Sequence, residues 1–242
     1  MTLITKNKKL AASIKFKDIK SRIDQTIKNI LFKNLEKQIS LVTELENNGV
    51  ICEVSNKIYE DLLCFANQDP SAKKSPDYIL ESYLSFQAVL SYRVANALYC
   101  FSQMLQTTES VINLQIIARK ISETAKVKTG VEIHPAAKIG SRLIVDHGYG
   151  TVIGETTEIG DDCYILQGVV LGAKSIAGNY DSKRHPTLGS RVEVGSFARI
   201  FGPVKIGDDV KISPWAVITE DIPSNSKVIV ITTNQVVKRR NF

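Results

Sequence analysis

Cysteine, histidine, proline and long apolar runs are all scarce in this chain. Its 242 residues include four cysteines, three histidines, seven prolines and one tryptophan. Cys52, Cys64, Cys100 and Cys163 show no C-x-x-C spacing, which argues against a cysteine zinc cluster and a small disulfide scaffold and leaves reduced thiols as the expectation. No apolar run approaches the ~20 residues that span a bilayer, and no apolar segment follows the first lysines as in a secretory signal. The chain is therefore expected to be cytoplasmic, with no membrane partner.

What is present divides unevenly. The net charge of +6 and the pI near 9.0 trace to the opening stretch "MTLITKNKKLAASIKFKDIKSR", where Lys6, Lys8, Lys9, Lys15, Lys17, Lys20 and Arg22 face Asp18 alone. A local basic arm of this kind reads as a solvated end leading into a helix, and no nucleic-acid partner is expected from it. The 43% hydrophobic content suffices for a buried core in one or two domains.

From about Lys17 to Lys126 apolar residues recur at helical spacing, as in "IKNILFKNLEKQISLVTEL" and "YLSFQAVLSYRVANALYCFSQML". Pro70 and Pro76 in "NQDPSAKKSPDY" mark a break between helices. After Lys126 a period of six takes over. Aliphatic residues fall at Ile133, Ile139 and Val145, then at Ile153, Ile159, Ile165 and Leu171, then at Leu188, Val194, Ile200, Ile206, Ile212 and Ile218. Smaller residues such as Thr157, Cys163, Val169, Val192, Ala198, Val210 and Ala216 follow at a fixed offset. A helix would rotate such residues around its axis, and an antiparallel sheet would show turn clusters every eight to twelve residues. One short strand per hexad with a bend between hexads satisfies the pattern; three hexads form a triangular coil of ~18 residues, and coils stack at ~4.8 Å. Cys163 is thereby expected inside, as packing.

The repeat is interrupted between Leu171 and Leu188 by a polar stretch, "GAKSIAGNYDSKRHPT", that must leave the coil. All three histidines, His134, His147 and His185, fall in marked places. Three imidazoles suffice for a zinc site of carbonic anhydrase type, but their wide separation in sequence disfavours it, and no metal is expected. General-base chemistry is the other use. His147 lies just past the inward Val145, and Glu132 precedes it by a little less than one coil, so a carboxylate could orient the imidazole for proton abstraction from an alcohol. Asp146, Arg184 and His185 add acidic and basic groups suited to the two ends of an amino acid.

The motifs "EIHPAAKIGSRLIVDHGYGTVIGETTEIGDDCYILQGVVLGA", "DSKRHPTLG" and "VEVGSFARIFGPVKIGDDVKIS", with "DPSAKKSP" and "FQAVLSYRVANALY" upstream, resemble the serine acetyltransferases over roughly 69–223. The resemblance implies an α+β fold: an N-terminal α-helical domain at 1–125, carrying the basic arm and oligomerisation, and a left-handed parallel β-helix of hexapeptide repeats at 126–223. An excursion loop at 173–187 and a C-terminal tail at 224–242 complete the expected division. It implies acetyl transfer from acetyl-CoA to the L-serine hydroxyl, giving O-acetylserine for cysteine biosynthesis, in a homotrimer or a dimer of trimers. His147 takes the role of base and Glu132 that of its carboxylate partner. Asp69 and Asp146 match the residues on the serine ammonium, Arg184 and His185 those on its carboxylate, and Gly172, Ala173, Lys174, Ser196, Ala198 and Lys211 the coenzyme groove.

Some features depart from the family. Aspartate is usual where Glu132 stands, and Phe197, Pro214 and Trp215 replace small residues. The tail lacks the family's small-residue closing motif and final isoleucine, which counts against a complex with O-acetylserine sulfhydrylase. Homoserine or threonine as acceptor, another acyl-CoA as donor, and a non-catalytic β-helix used for assembly stay open as alternatives at this level.

Overall fold

The structure, a computed structural model, describes residues 3–35, 39–175 and 182–231. The middle of the expected excursion, 176–181, and the end of the tail, 232–242, lie outside them, as do the side chains of the basic arm through position 16.

The first half is helical: α1 (Leu3–Asn34), α2 (Ile39–Asn47), α3 (Val50–Gln68), α4 (Pro76–Ser82), α5 (Leu84–Ser102) and α6 (Thr108–Thr129). Buried Ile19, Ile23, Ile27 and Leu31 form the inward stripe of α1, and Val54, Ile58, Leu62 and Phe65 that of α3. Helix α3 stops at Asp69 because Pro70 disfavours helical geometry in the residue before it. The Asp69 carboxylate then accepts the Ser71 N–H at 2.8 Å and caps a single 3₁₀ turn, Pro70–Ala72. Helix α6 closes on Gly130 in the left-handed conformation, φ 72°, and hands the chain to the repeats.

Each hexad gives a strand of two or three residues. The first coil holds β1 (Glu132–Ile133), β2 (Lys138–Ile139) and β3 (Ile144–Val145); the second holds β4 (Val152–Ile153), β5 (Glu158–Ile159) and β6 (Tyr164–Ile165). The third comprises β7 (Val170–Gly172), β8 (Thr187–Leu188) and β9 (Glu193–Val194), and the fourth β10 (Arg199–Phe201), β11 (Lys205–Ile206) and β12 (Lys211–Ile212). The last has β13 (Val217–Ile218), a bridge at Ile222 and β14 (Lys227–Val228). They stack as three all-parallel sheets, β1-β4-β7-β10-β13, β2-β5-β8-β11 and β3-β6-β9-β12-β14, in register as Ile133↔Ile153 and Val145↔Ile165 illustrate. We call them the first, second and third sheets. The expected aliphatic register, Ile133 through Ile218, is buried throughout and fills the bore. Cys163 is inside too; burial pushes its thiol up to about 11, as befits a packing residue.

Backbone amides join neighbouring coils in both directions, as in any parallel sheet. Glu132 N, Val152 N and Val170 N donate to the following coil, at Thr151 O, Val169 O and Ala198 O, while Ile222 N donates back to Lys205 O. Left-handed corner residues also donate back, Asp162 N to Ser141 O, Arg191 N to Asp161 O and Phe197 N to Gln167 O. The first coil has no preceding coil, so carbonyls on its open edge need other donors and amides such as Leu143 N another acceptor.

The helical half supplies those donors. Tyr92 Oη donates to Ala137 O at 2.7 Å, Asn96 to Pro135 O at 2.8 Å, and Ser122 to Ile133 O. Arg93 Nη1 donates to Ile139 O at 2.8 Å, Nη2 to both Gly140 O at 2.6 Å and Asp61 at 3.0 Å, and Nε to Asp61 at 2.9 Å. Asp61 in turn accepts the Leu143 N–H at 2.9 Å, and the pair is 3% and 0% exposed. Between the second and third sheets a corner ladder runs in pairs outside, Arg142 with Asp162 and Arg191 with Asp209.

Removing one member of the buried pair strands the other charge. Asp61→Ala is expected to cost about 3–5 kcal/mol in equilibrium urea unfolding. Asp209→Ala, on the exposed ladder, is expected to cost far less. Comparable losses for the two variants would show that Arg93 and Asp61 do not fasten the halves together.

Candidate active site

The candidate residues collect at two corners on either side of the first sheet. At the corner that enters it from the third sheet, Asp146 follows β3 and His147 takes a left-handed φ of 57°. That backbone turn throws the imidazole outward: its side chain is 69% exposed, against 16% for Asp146. Asp146 Oδ1 accepts the His147 N–H at 2.8 Å, and Oδ2 lies 3.7 Å from His147 Nε2. Tyr164, one coil on, donates its hydroxyl to the same Oδ2 at 2.8 Å. Asp69, at the end of α3, joins from the helical half, where the Tyr83 hydroxyl donates to its second oxygen. Burial, then the bond to Asp146, raises the Tyr164 phenol, and the bond to Asp69 raises that of Tyr83; both stay protonated donors.

The other corner leads from the first sheet to the second and receives the end of the excursion. Arg184 Nη2 pairs with Glu155, and Lys183 Nζ donates to Thr156 O at 2.6 Å. His185 packs on Gly154, where an added Cβ would fall 2.0 Å from its ring. Burial and then neighbouring Arg184 hold the His185 imidazole below its ordinary value. A cavity of about 530 Å³ opens beside this corner, lined by Asn96, Tyr99, Lys138, Glu155 and Arg184 among others.

Glu132 is placed differently from its expected pairing with His147. Its carboxylate takes hydrogen bonds from Lys126 Nζ at 2.6 Å and Arg119 Nη2 at 2.9 Å, both on α6. Burial alone would raise its pKa, but these two bonds outweigh that and hold it below the usual carboxylate range. Within the described chain the carboxylate beside His147 is that of Asp146.

The coenzyme-groove residues are also spread. Gly172 ends β7 with the Phe201 ring against it, and Lys174 lies over Gly202. Ser196 donates to Gln167 at 3.2 Å on the corner that His147 occupies one coil pair earlier. Ala198 is buried with its amide bonded to Gly195 O and its carbonyl to Val170 N, so it contributes shape only. Lys211 stands on the third sheet, paired with Glu193 at 2.8 Å. The three histidines do not converge, and among the described residues no three His, Cys, Asp or Glu side chains form a metal-holding group. No helix of the described residues is long and apolar enough to cross a membrane.

Sequence reasoning missed Tyr83, Tyr164, Glu155, Thr156, Arg119 and Lys126. Tyr164 was recoverable, since it sits in β6 in register with Ile144, two residues before Asp146. Arg119 and Lys126 share a face of α6 with Glu123, a spacing that places cations over the first strand. Nothing in the sequence signalled Tyr83.

No protein-family model matches the chain. It is 43% identical over 173 residues to the serine acetyltransferase of Helicobacter pylori strain 26695, covering 72% of this chain and 92% of that protein. It is 38% identical over 169 residues to the serine acetyltransferase of Mycobacterium tuberculosis H37Rv, covering 70% and 67%. Among solved structures, serine acetyltransferase isoform 3 of Entamoeba histolytica in complex with cysteine aligns with a TM-score of 0.70 at 27% identity, over 88% of this chain and 72% of the other. The Neisseria gonorrhoeae serine acetyltransferase in complex with serine aligns with a TM-score of 0.66 at 27% identity, over 86% and 74%. The shared fold is a helical N-terminal half followed by a left-handed parallel β-helix.

The histidine environments set a pH dependence. His134, lowered chiefly by burial, accepts the Ala136 N–H on Nδ1, and His185 is lowered for the same leading reason. Their pKa is lower folded than unfolded, so the unfolded chain takes up protons first on acidification. The stability they contribute is complete above about pH 6.5 and drains away below it. Urea midpoints are expected to fall from pH 7 to pH 5, and the double variant His134→Gln, His185→Gln to flatten that fall; an unchanged slope would refute it.

Proposed function

Because the chain belongs to the serine acetyltransferase family, and so is an acyltransferase, we propose that it carries the acetyl group of acetyl-CoA to the hydroxyl of L-serine with His147 as the base. The observation that carries this reading is the Asp146 carboxylate, whose Oδ2 lies 3.7 Å from Nε2 of the exposed His147 imidazole. Asp69 and Asp146 receive the serine ammonium. Arg184 and His185 receive its carboxylate, the guanidinium by two parallel hydrogen bonds. His147 then takes the proton from serine Oγ, Oγ attacks the thioester carbonyl carbon, and backbone amides steady the oxyanion. The C–S bond breaks as the carbonyl re-forms, and the coenzyme thiolate leaves and is reprotonated. Acetylserine and free thiol are the products, the former a precursor for cysteine synthesis.

Asp146 stabilises the imidazolium as it forms. The family resemblance gives Glu132 the part of second carboxylate, but in this chain Lys126 and Arg119 hold it, which leaves Asp146 as the carboxylate at the ring. Gly172, Ala173, Lys174, Ser196, Ala198 and Lys211 form the coenzyme side, with the small residues leaving room and the lysines meeting phosphate.

The active unit is an oligomer in this reading. His147 and Asp146 lie on one corner and Arg184 and His185 on the other, with β4 of the first sheet between them. A second copy that brings its second corner against the first copy's base completes the site, and threefold repetition closes the ring. The helical half, 1–125, is the natural surface for pairing such rings. Four free thiols, Cys52, Cys64, Cys100 and Cys163, suit the reducing cytoplasm.

Thiol release from acetyl-CoA is expected with serine and at most weakly with homoserine or threonine; absence of turnover with serine would sink the assignment. His147→Ala is expected to lose about 10²–10⁴ in rate. Co-expressing His147→Ala with Arg184→Ala is expected to restore roughly a quarter of the sites if each uses two copies. No restoration would place the His147 and Arg184 of each site in one chain.

A further inference from the structure

We propose that Thr156 is the positioning residue for the carboxylate-binding pair, fixing both the backbone of Arg184 and His185 and the tautomer of the His185 ring. The inference rests on the acetyl-transfer reading for its functional consequence, though not for its geometry. Thr156 lies on the corner after β4, yet all its polar atoms are directed at the far end of the excursion. Its Oγ1 accepts the Arg184 N–H at 3.0 Å and the His185 N–H at 3.0 Å. The same oxygen lies 2.9 Å from His185 Nδ1, and the Thr156 N–H donates to that nitrogen at 3.2 Å. The Thr156 carbonyl accepts Lys183 Nζ.

A hydroxyl has one proton and two lone pairs, and here each has a use. The two lone pairs take the backbone N–H groups of Arg184 and His185, so the proton is directed at Nδ1. A backbone amide can only donate, so its bond to Nδ1 requires that nitrogen to be bare. The ring proton therefore resides on Nε2, the nitrogen available to donate to a substrate carboxylate. Gly154 completes the seat by leaving the ring room that a Cβ would occupy. One threonine thus secures three consecutive residues that follow a long excursion.

Three forms of the full-length protein decide the matter: wild type, Thr156→Val, which keeps the shape and loses the hydroxyl, and Thr156→Ser, which keeps the hydroxyl. Steady-state kinetics with acetyl-CoA are expected to give Thr156→Val a serine KM raised about tenfold or more, with kcat and the acetyl-CoA KM within about threefold. Thr156→Ser is expected to recover most of that loss. An unchanged serine KM in Thr156→Val, or a serine variant as impaired as the valine one, overturns the proposal. Nitrogen-15 NMR of histidine-labelled wild type, with three rings to assign, is expected to show His185 Nδ1 unprotonated at neutral pH. A protonated Nδ1 overturns the proposal even if Thr156→Val does not fold. Wild-type protein inactive toward serine would refute the acetyl-transfer reading instead, while the tautomer would still be decided by NMR.

Discussion

The structure depends on how the open edge of its first coil is satisfied. In a parallel stack each inner coil hydrogen-bonds both of its neighbours, so the first coil is left with backbone carbonyls and amides that no coil can pair. Unpaired carbonyls buried at the first coil would be costly, and an open edge would recruit other strands. The helical half resolves this with side chains rather than another strand: Tyr92, Arg93 and Asn96 from α5 and Ser122 from α6. Arg93 is central because it serves Ile139 O, Gly140 O and Asp61 at once, and Asp61 returns a bond to Leu143 N. The two halves are thereby one folding problem, although their sequence periods differ completely.

The coil geometry also accounts for where the chemistry sits. A strand residue in these short hexads points either into the bore or onto a flat face, and neither suits convergent groups. Corners turn the chain through a left-handed residue and throw side chains outward. His147 occupies such a position without being glycine, as do Phe197 and Trp215, whose rings stack at 4.6 Å and 16°. A non-glycine residue held at positive φ is a local cost that surrounding bonds must offset, here the inward Val145 on one side and Thr151 on the other.

This distribution explains what could be read in advance. The hexad register was legible residue by residue because the bore admits few side chains and repeats strictly. The helices and the break at Pro70 and Pro76 were legible from spacing and proline chemistry. Asp61 was a missed signal, since it stands among Ile58, Leu62 and Phe65 on the buried stripe of α3, where a charge needs a partner. The pairing of Glu132 was not legible, because distance along the coil places it near His147 equally well, and only the docking of α6 brings Lys126 and Arg119 within reach. Thr156 looked like an ordinary turn residue until the excursion returned to it.

The identity of the donor, rather than proximity, separates the three carboxylates near this site. Glu132 is bonded to two cations, so its charge is already compensated and its oxygens are occupied. Asp69 and Asp146 are bonded to the phenols of Tyr83 and Tyr164, neutral donors that fix the oxygens in space and leave the negative charge uncancelled. A phenol stabilises a carboxylate without neutralising it, so the field at this corner stays attractive to an ammonium group. At the other corner His185, neutral because it is buried, adds a donor beside Arg184 without a second full positive charge. The acidic corner is thus held in one charge sign by uncharged partners, whereas Arg184 at the other corner is paired with Glu155, so a substrate carboxylate there has to compete with a carboxylate of the chain itself.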